Sequence, residues 1–224
     1  DSAQGARTLD MPLPFLAVTD EPALQQRCAR DYTTRKYPAS PGPDRADRPY
    51  RHQRIRVAYV SADFREHAVS YLLAGLFENH DRRRFETIAI SLRPRDGGAM
   101  GRRVAAAFER FVDAAGMSDA RIAALMRELE VDIAVDLMGY TEDNRTAIFA
   151  RRPAPIQVNY LGFPGTMGAD YMDYLIADAF VIPEAARHCY TEQVVYLPDC
   201  FQGNDDQRPI AARAPSRAEL GLPE

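Results

Sequence analysis

Six short apolar runs, each closed by polar or turn residues and separated by longer segments, do most to limit how this chain can fold. They are RIRVAYVS at 54–61, FETIAIS at 85–91, FERFVDA at 108–114, VDIAVDLM at 131–138, PIQVNYLG at 155–162 and YMDYLIAD at 171–178. The segment after the first run carries Val69, Leu72, Leu73, Leu76 and Phe77 at helical spacing, and the segment before the fourth carries Ile122, Leu125, Met126 and Leu129. Parallel strands need a crossover long enough to hold a helix, so this alternation predicts an α/β fold on a doubly wound parallel sheet with helices on both faces. The two stripes read as core faces.

Ahead of the alternating region, residues 21–35 place Leu24, Cys28 and Tyr32 at helical spacing after Asp20 and Pro22, which predicts one helix. Residues 37–50 are Pro-rich, charged and without period, as linkers are, and put a domain boundary near 50. The expected organisation is a helical segment and linker over 1–52, a catalytic-type lobe over 53–201, and a connecting tail over 202–224 that stops before any further strand. The single early helix is expected to be the end of an upstream helical array. No apolar run approaches the roughly 20 residues a membrane span needs, and the N-terminus has no secretory pattern. A net charge of −4 disfavours nucleic acid as a partner. The basic residues are almost all arginine, with Lys36 the only lysine, which suggests a GC-rich bacterial origin. Cys28, Cys189 and Cys200 are widely spaced with no C-x-x-C pair, as reduced thiols of a cytoplasmic chain would be, and form no zinc pattern.

Ligands of open α/β sheets bind outside the carboxyl ends of the strands, so candidate residues are sought there. The first run opens into ADFREH, bringing Asp63 and His67. Helical geometry places His67 about 160° from the centre of the stripe that follows, at about 100° per residue, in the first turn of the helix and outside the core. There the helix dipole favours a neutral ring, and His67 reads as a site histidine or a solvated one. Asp63 reads as a helix cap or an acid with a catalytic role. Asp113 closes the third run, where it could orient an acceptor hydroxyl or cap a turn. Asp132 and Asp136 make the fourth strand unusually acidic, with Asp136 nearer the crevice. The fifth run opens into LGFPGTMG, whose Gly162, Gly165 and Gly168 with Pro164 suggest a tight loop presenting backbone groups to a ligand. No G-x-G-x-x-G follows the first strand, and neither a P-loop nor an H-E-x-x-H pattern is present.

The strings RVAYVSADFREHAVSYLL, VDLMGYTEDNRTAIFARRPAPIQVNYLGFPGTMGADYMDYLIAD and YLPDCF resemble the O-GlcNAc transferase and SPINDLY family over about residues 54–200. The resemblance implies the first Rossmann-like lobe of a two-lobed, metal-independent GT-B glycosyltransferase, preceded by tetratricopeptide repeats. Its nucleotide would be held chiefly by a second lobe. The implied activity is inverting transfer of N-acetylglucosamine from UDP-GlcNAc to Ser/Thr hydroxyls of protein acceptors, with no cofactor and no metal. Another donor sugar, fucose or glucose, and a non-catalytic peptide-binding scaffold are the alternatives. By position the resemblance makes His67 and Asp113 the catalytic residues. It places Leu161, Gly162, Pro164 and Gly165, with Tyr140 and Thr141, against the donor sugar. Phe163 stands where animal members more often have tyrosine, which bears on sugar preference. The isolated lobe is expected to be inactive, and valine at Gly162 is expected to impair donor use more than folding.

Overall fold

The computed structural model describes residues 11–40, 50–208, 210 and 212–223. Its centre is a seven-stranded, all-parallel sheet formed by β1 (Ile55–Ser61), β2 (Phe85–Ser91), β3 (Arg110–Asp113), β4 (Ile133–Asp136), β5 (Ile156–Tyr160), β6 (Tyr174–Ala177) and β7 (Gln193–Tyr196). The spatial order is β3-β2-β1-β4-β5-β6-β7. The chain builds outward from β1 to the β3 edge, returns through a crossover, and then builds the other way. The strand order therefore reverses between β1 and β4, whose carboxyl ends pair as far as Val60 with Asp136. That reversal opens the crevice that holds ligands in folds of this kind.

The six apolar runs are the first six strands. β7 was not foreseen, because QVVY is four residues long and only Val194 of it is buried. Helices α3 (Ala68–Glu78), α4 (Ala99–Ala107) and α5 (Asp119–Glu128) make the first three crossovers. Val69, Leu73 and Phe77 of α3 and Met100 and Val104 of α4 cover one face with Val57 and Tyr59 of β1. Ile122, Ala123 and Met126 of α5 cover the other with Ala58 and Val60.

The later crossovers depart from the expected helix on each face. β4 joins β5 through a single 3-10 turn, Phe149–Arg151, and β6 joins β7 through another, Glu184–Cys189. The face they leave open is filled from the N-terminal side by α2 (Pro22–Lys36), which follows the single-turn α1 (Pro12–Phe15). Tyr32 of α2 lies in the same core cluster as Met167, Tyr171 and Ala58, and Thr33 donates to the carbonyl of Met167 at 2.7 Å. Gly168 (φ +60°) permits this approach, since a Cβ there would come within 2.5 Å of the Arg30 backbone nitrogen. The helix expected to end an upstream array is thus packed into the lobe's own core. The linker expected before residue 50 lies largely outside the described residues.

Beyond β7 the chain returns across α3 and α4. Asp178 accepts the Phe201 N–H at 2.8 Å, and Tyr160 donates to the Phe201 carbonyl at 2.8 Å. Further on, the buried carboxylate of Asp205 takes a 2.6 Å bond from Arg103, which also grips Glu78 at 2.8 Å.

Candidate functional site

The loop leaving β1 is fastened almost wholly by its own polar atoms. Ser61 Oγ accepts the Asp63 N–H at 3.0 Å, and the Asp63 carbonyl accepts from Ser70 Oγ at 2.6 Å and from the Arg65 N–H at 2.8 Å. The Asp63 carboxylate is buried and lies 3.2 Å from Arg65. Asp63 therefore builds the turn and does not cap the helix. Glu66 crosses to the start of α4, accepting the Met100 N–H at 2.9 Å and the Tyr71 hydroxyl at 2.5 Å. The Tyr71 bond, with those of the α4 amides, holds its carboxyl below the usual carboxylate range.

The capping role falls to His67, which sits one residue before α3 in extended backbone (φ −151°, ψ 153°), not in its first turn. Its Nδ1 accepts the Val69 N–H at 3.3 Å and lies 3.6 Å from Asp63 Oδ2. A ring nitrogen that accepts a backbone N–H carries no proton, so the neutral ring is the Nε2–H tautomer. The side chain is 37% exposed at the mouth of the switch point, in keeping with a position opposite the apolar stripe. It presents a donor to whatever enters.

Asp113 ends β3, the edge strand. Its carboxylate accepts the Ala115 N–H at 3.1 Å and the Arg95 N–H at 3.4 Å, tying the β3 and β2 exit loops together. It shares the carboxyl edge with His67, but β2 lies between its strand and β1 in the sheet. Among the described residues no hydrogen bond or ion pair joins the two. Beside Asp113, an open cleft of about 630 Å³ is lined by Leu92, Arg93, Met117, Ser118, Asp143 and Arg145.

The glycines after β5 serve packing more than ligand contact. A Cβ at Gly162 would come 2.1 Å from the Leu137 carbonyl oxygen, so this residue lets the loop lie directly on the end of β4. Gly165 faces the Phe163 ring and Leu16, and Gly168 faces α2. The outlier is Leu161, at φ +67°, closed by a Gly162 N–H bond to the Tyr160 carbonyl at 2.8 Å. A non-glycine residue there costs on the order of 1–3 kcal/mol and persists only where its surroundings over-determine it, which is common at ligand-binding turns. Leu161, Gly162 and Pro164 are partly exposed, whereas Phe163 and Gly165 are buried.

Tyr140 does not line the crevice. It is 1% exposed, its hydroxyl donates to the Met167 carbonyl at 2.6 Å and pairs with Thr33, and burial raises its phenol well above the ordinary range. Phe163 packs against it at 5.3 Å between ring centroids. A hydroxyl on residue 163 would point into packing, so its absence says nothing about the sugar. Thr141 stays half-exposed, its Oγ1 donating to the Met138 carbonyl at 2.9 Å. Asp132 sits at the far end of β4, where it accepts the Arg56 N–H at 2.9 Å. Asp136 is buried near the crevice, accepts the N–H groups of Met138 and Gly139, and is pushed up to about 6 by burial. Asn159 was missed: fully buried on β5, it donates from Nδ2 to the carbonyls of Phe163 at 3.0 Å and Gly165 at 3.5 Å. An amide in the middle of an apolar strand was its one signal in the sequence.

Helix N-termini at this edge are where such folds bind phosphate, and here each is occupied from within. His67 caps α3, Glu66 covers α4, and Ser118 Oγ accepts the Arg121 N–H at 3.2 Å on α5. Among the described residues no group of three His, Cys, Asp or Glu side chains is placed to hold a metal ion, and no helix is long and apolar enough to cross a membrane.

Sheet order and crevice together define a Rossmann-like α/β lobe whose strand order reverses between β1 and β4. Residues 41–212 match glycosyl transferase family 41, and the chain belongs to that family. It is 40% identical over 177 residues to the Arabidopsis thaliana protein named "Probable UDP-N-acetylglucosamine--peptide N-acetylglucosaminyltransferase SEC", an alignment covering 77% of this chain and 18% of that protein. To the UDP-N-acetylglucosamine–peptide N-acetylglucosaminyltransferase of Caenorhabditis elegans it is 38% identical, over 66% of this chain and 13% of that one. Among solved structures, the K341M mutant of the Thermobaculum terrenum O-GlcNAc transferase superposes with a TM-score of 0.74 at 35% identity, covering 81% of this chain and 35% of that one. The chain therefore spans less than a fifth of those two curated relatives.

Proposed function

We propose that this chain is the first lobe of a protein O-GlcNAc transferase, in which N-acetylglucosamine passes from UDP-GlcNAc to the hydroxyl of a serine or threonine in a protein acceptor. The observation that carries the reading is His67, a half-exposed imidazole fixed as a hydrogen-bond donor at the switch point of a family 41 fold. In the reaction the acceptor oxygen bonds to the anomeric carbon, the bond from that carbon to the diphosphate breaks with inversion, UDP departs, and the proton of the hydroxyl passes to water. The Nε2–H of His67 orients sugar or acceptor, a contribution of placement more than of proton abstraction. Asp113 orients the acceptor side, its own carboxylate fixed by two backbone amides. Leu161, Gly162 and Pro164 form the wall against the donor sugar, with Thr141 beside them.

Every helix N-terminus at the edge is filled by this lobe's own side chains, which supports a diphosphate clamp on a second lobe of the same protein. We assign the reaction no metal and place it in the cytoplasm. The test is transfer by the full-length protein from radiolabelled UDP-GlcNAc to protein acceptors. Release of UDP with label in acceptor serine or threonine supports the reading. Labelling from GDP-fucose or UDP-glucose in its place would move the chain to another donor.

A further inference from the structure

Asn159 and Asp136 are register partners on neighbouring parallel strands, so their side chains leave the same face of the sheet side by side. Both are buried, at 0% and 2% exposure. The Asn159 amide nitrogen is used twice on the turn after β5, on the Phe163 and Gly165 carbonyls. Its Oδ1 is buried with no partner among the described residues. The two groups converge on Gly139 (φ +55°): Asp136 takes its N–H, and a Cβ there would lie 3.3 Å from Asn159 Oδ1. The same Cβ would strike Phe163 Cβ at 2.4 Å, so the GYT segment, the amide of Asn159 and the LGFPG turn interlock at one point.

An ionised Asp136 would set a second acceptor beside an acceptor that already lacks a donor. A neutral carboxyl group supplies the one hydrogen this arrangement wants. We propose that Asp136 is held protonated and donates to Asn159 Oδ1, and that the pair is the positioning device for the Leu161–Gly165 turn, fixing the left-handed Leu161 for the donor sugar. The functional half rests on the reading that this turn touches the sugar.

Among the described residues no cation is paired with Asp136. The titratable groups around it are the phenols of Tyr140 and Tyr171, with Glu192 at the start of β7 and Tyr37 beyond them. Tyr32 of α2 stacks edge-on against Tyr140. Burial of Asp136 acts in the same direction.

The test uses the full-length protein and two readouts. Infrared difference spectra between wild type and Asp136→Asn, taken near pH 5, report the C=O stretch of a protonated carboxylic acid, which ionised carboxylates lack. The expected result is one such band lost in Asp136→Asn and displaced in Asn159→Leu. Absence of the band in wild type would overturn the proposal, whatever the activity. In kinetics, Asp136→Asn keeps a donor toward Oδ1 and should hold the KM for UDP-GlcNAc within about twofold of wild type, with a pH profile flatter than wild type between pH 5 and 8. Asn159→Leu should raise that KM at least about tenfold and change kcat less, at unchanged circular dichroism. If the band is present and folded Asn159→Leu keeps wild-type donor KM, the positioning role is wrong. If the protein transfers no sugar at all, the proposed function fails while the infrared arm still decides the protonated pair.

Discussion

At Gly162 a loop and a strand end share one van der Waals gap. Because a Cβ would meet the Leu137 carbonyl at 2.1 Å, valine at 162 is expected to cost about 3 kcal/mol or more in chemical denaturation, an effect on folding before any on donor use. A stable Gly162→Val protein with only a raised donor KM would restore the expectation drawn from the sequence. His67 separates the other way. Asparagine is a favoured N-cap and can accept the Val69 N–H, so His67→Asn should leave stability within about 0.5 kcal/mol while removing the imidazole. His67→Ala should lose about 1 kcal/mol as well as activity, and thermal melts of the two variants check the split. That His67 lies outside the core was legible, because the apolar stripe of α3 defines what faces inward. Its capping role was not, since histidine is not a preferred cap and the helix start was drawn one residue too early. The burial of Tyr140 and Phe163 had no periodic signal, both lying in loops where inward direction is set by distant partners.

At the scale of elements, the clasp of Arg103 between Glu78 and the buried Asp205 ties the segment after β7 to α3 and α4. Arg103→Ala leaves the covered carboxylate of Asp205 without its cation in a clasp whose Arg103 and Glu78 are partly exposed, and should destabilise the lobe by about 1 kcal/mol. Arg103→Ala with Asp205→Asn should recover part of that loss, and a double-mutant cycle by urea denaturation measures the coupling. Six strands could be read from the sequence because buried parallel strands are written as continuous apolar runs. β7 could not, being short and half solvated. Nor could the place of α2. The contact of Thr33 with Met167 joins residues 134 apart, and nothing local to the 21–35 stripe says which face of which sheet it will cover. The glycines of LGFPGTMG were legible as close-approach positions, but not what approaches: backbone of β4 at Gly162, backbone of α2 at Gly168.

Across the molecule, the deeply buried Asp136 at the end of β4 makes stability depend on pH. The folded Asp136 binds its proton more tightly than the unfolded chain does, its carboxyl being pushed up from 3.8 to about 6 by burial. Its contribution is therefore complete below about pH 4 and is lost as pH rises through about 6, a change on the order of 2–3 kcal/mol. Glu192, also raised by burial, acts with the same sign. Wild type should lose stability relative to Asp136→Asn between pH 4 and 7, and equal slopes in denaturation at several pH values would count against a buried, protonated Asp136. The central claim is that this lobe places a donor-type imidazole against sugar or acceptor while the diphosphate is clamped elsewhere. The most direct measurement is a comparison of full-length wild type and His67→Asn in transfer from UDP-GlcNAc and in UDP binding. The account predicts kcat/KM lowered at least roughly 100-fold with the Kd for UDP unchanged within about twofold. Transfer at the wild-type rate, or a UDP affinity that falls in step with transfer, would contradict it.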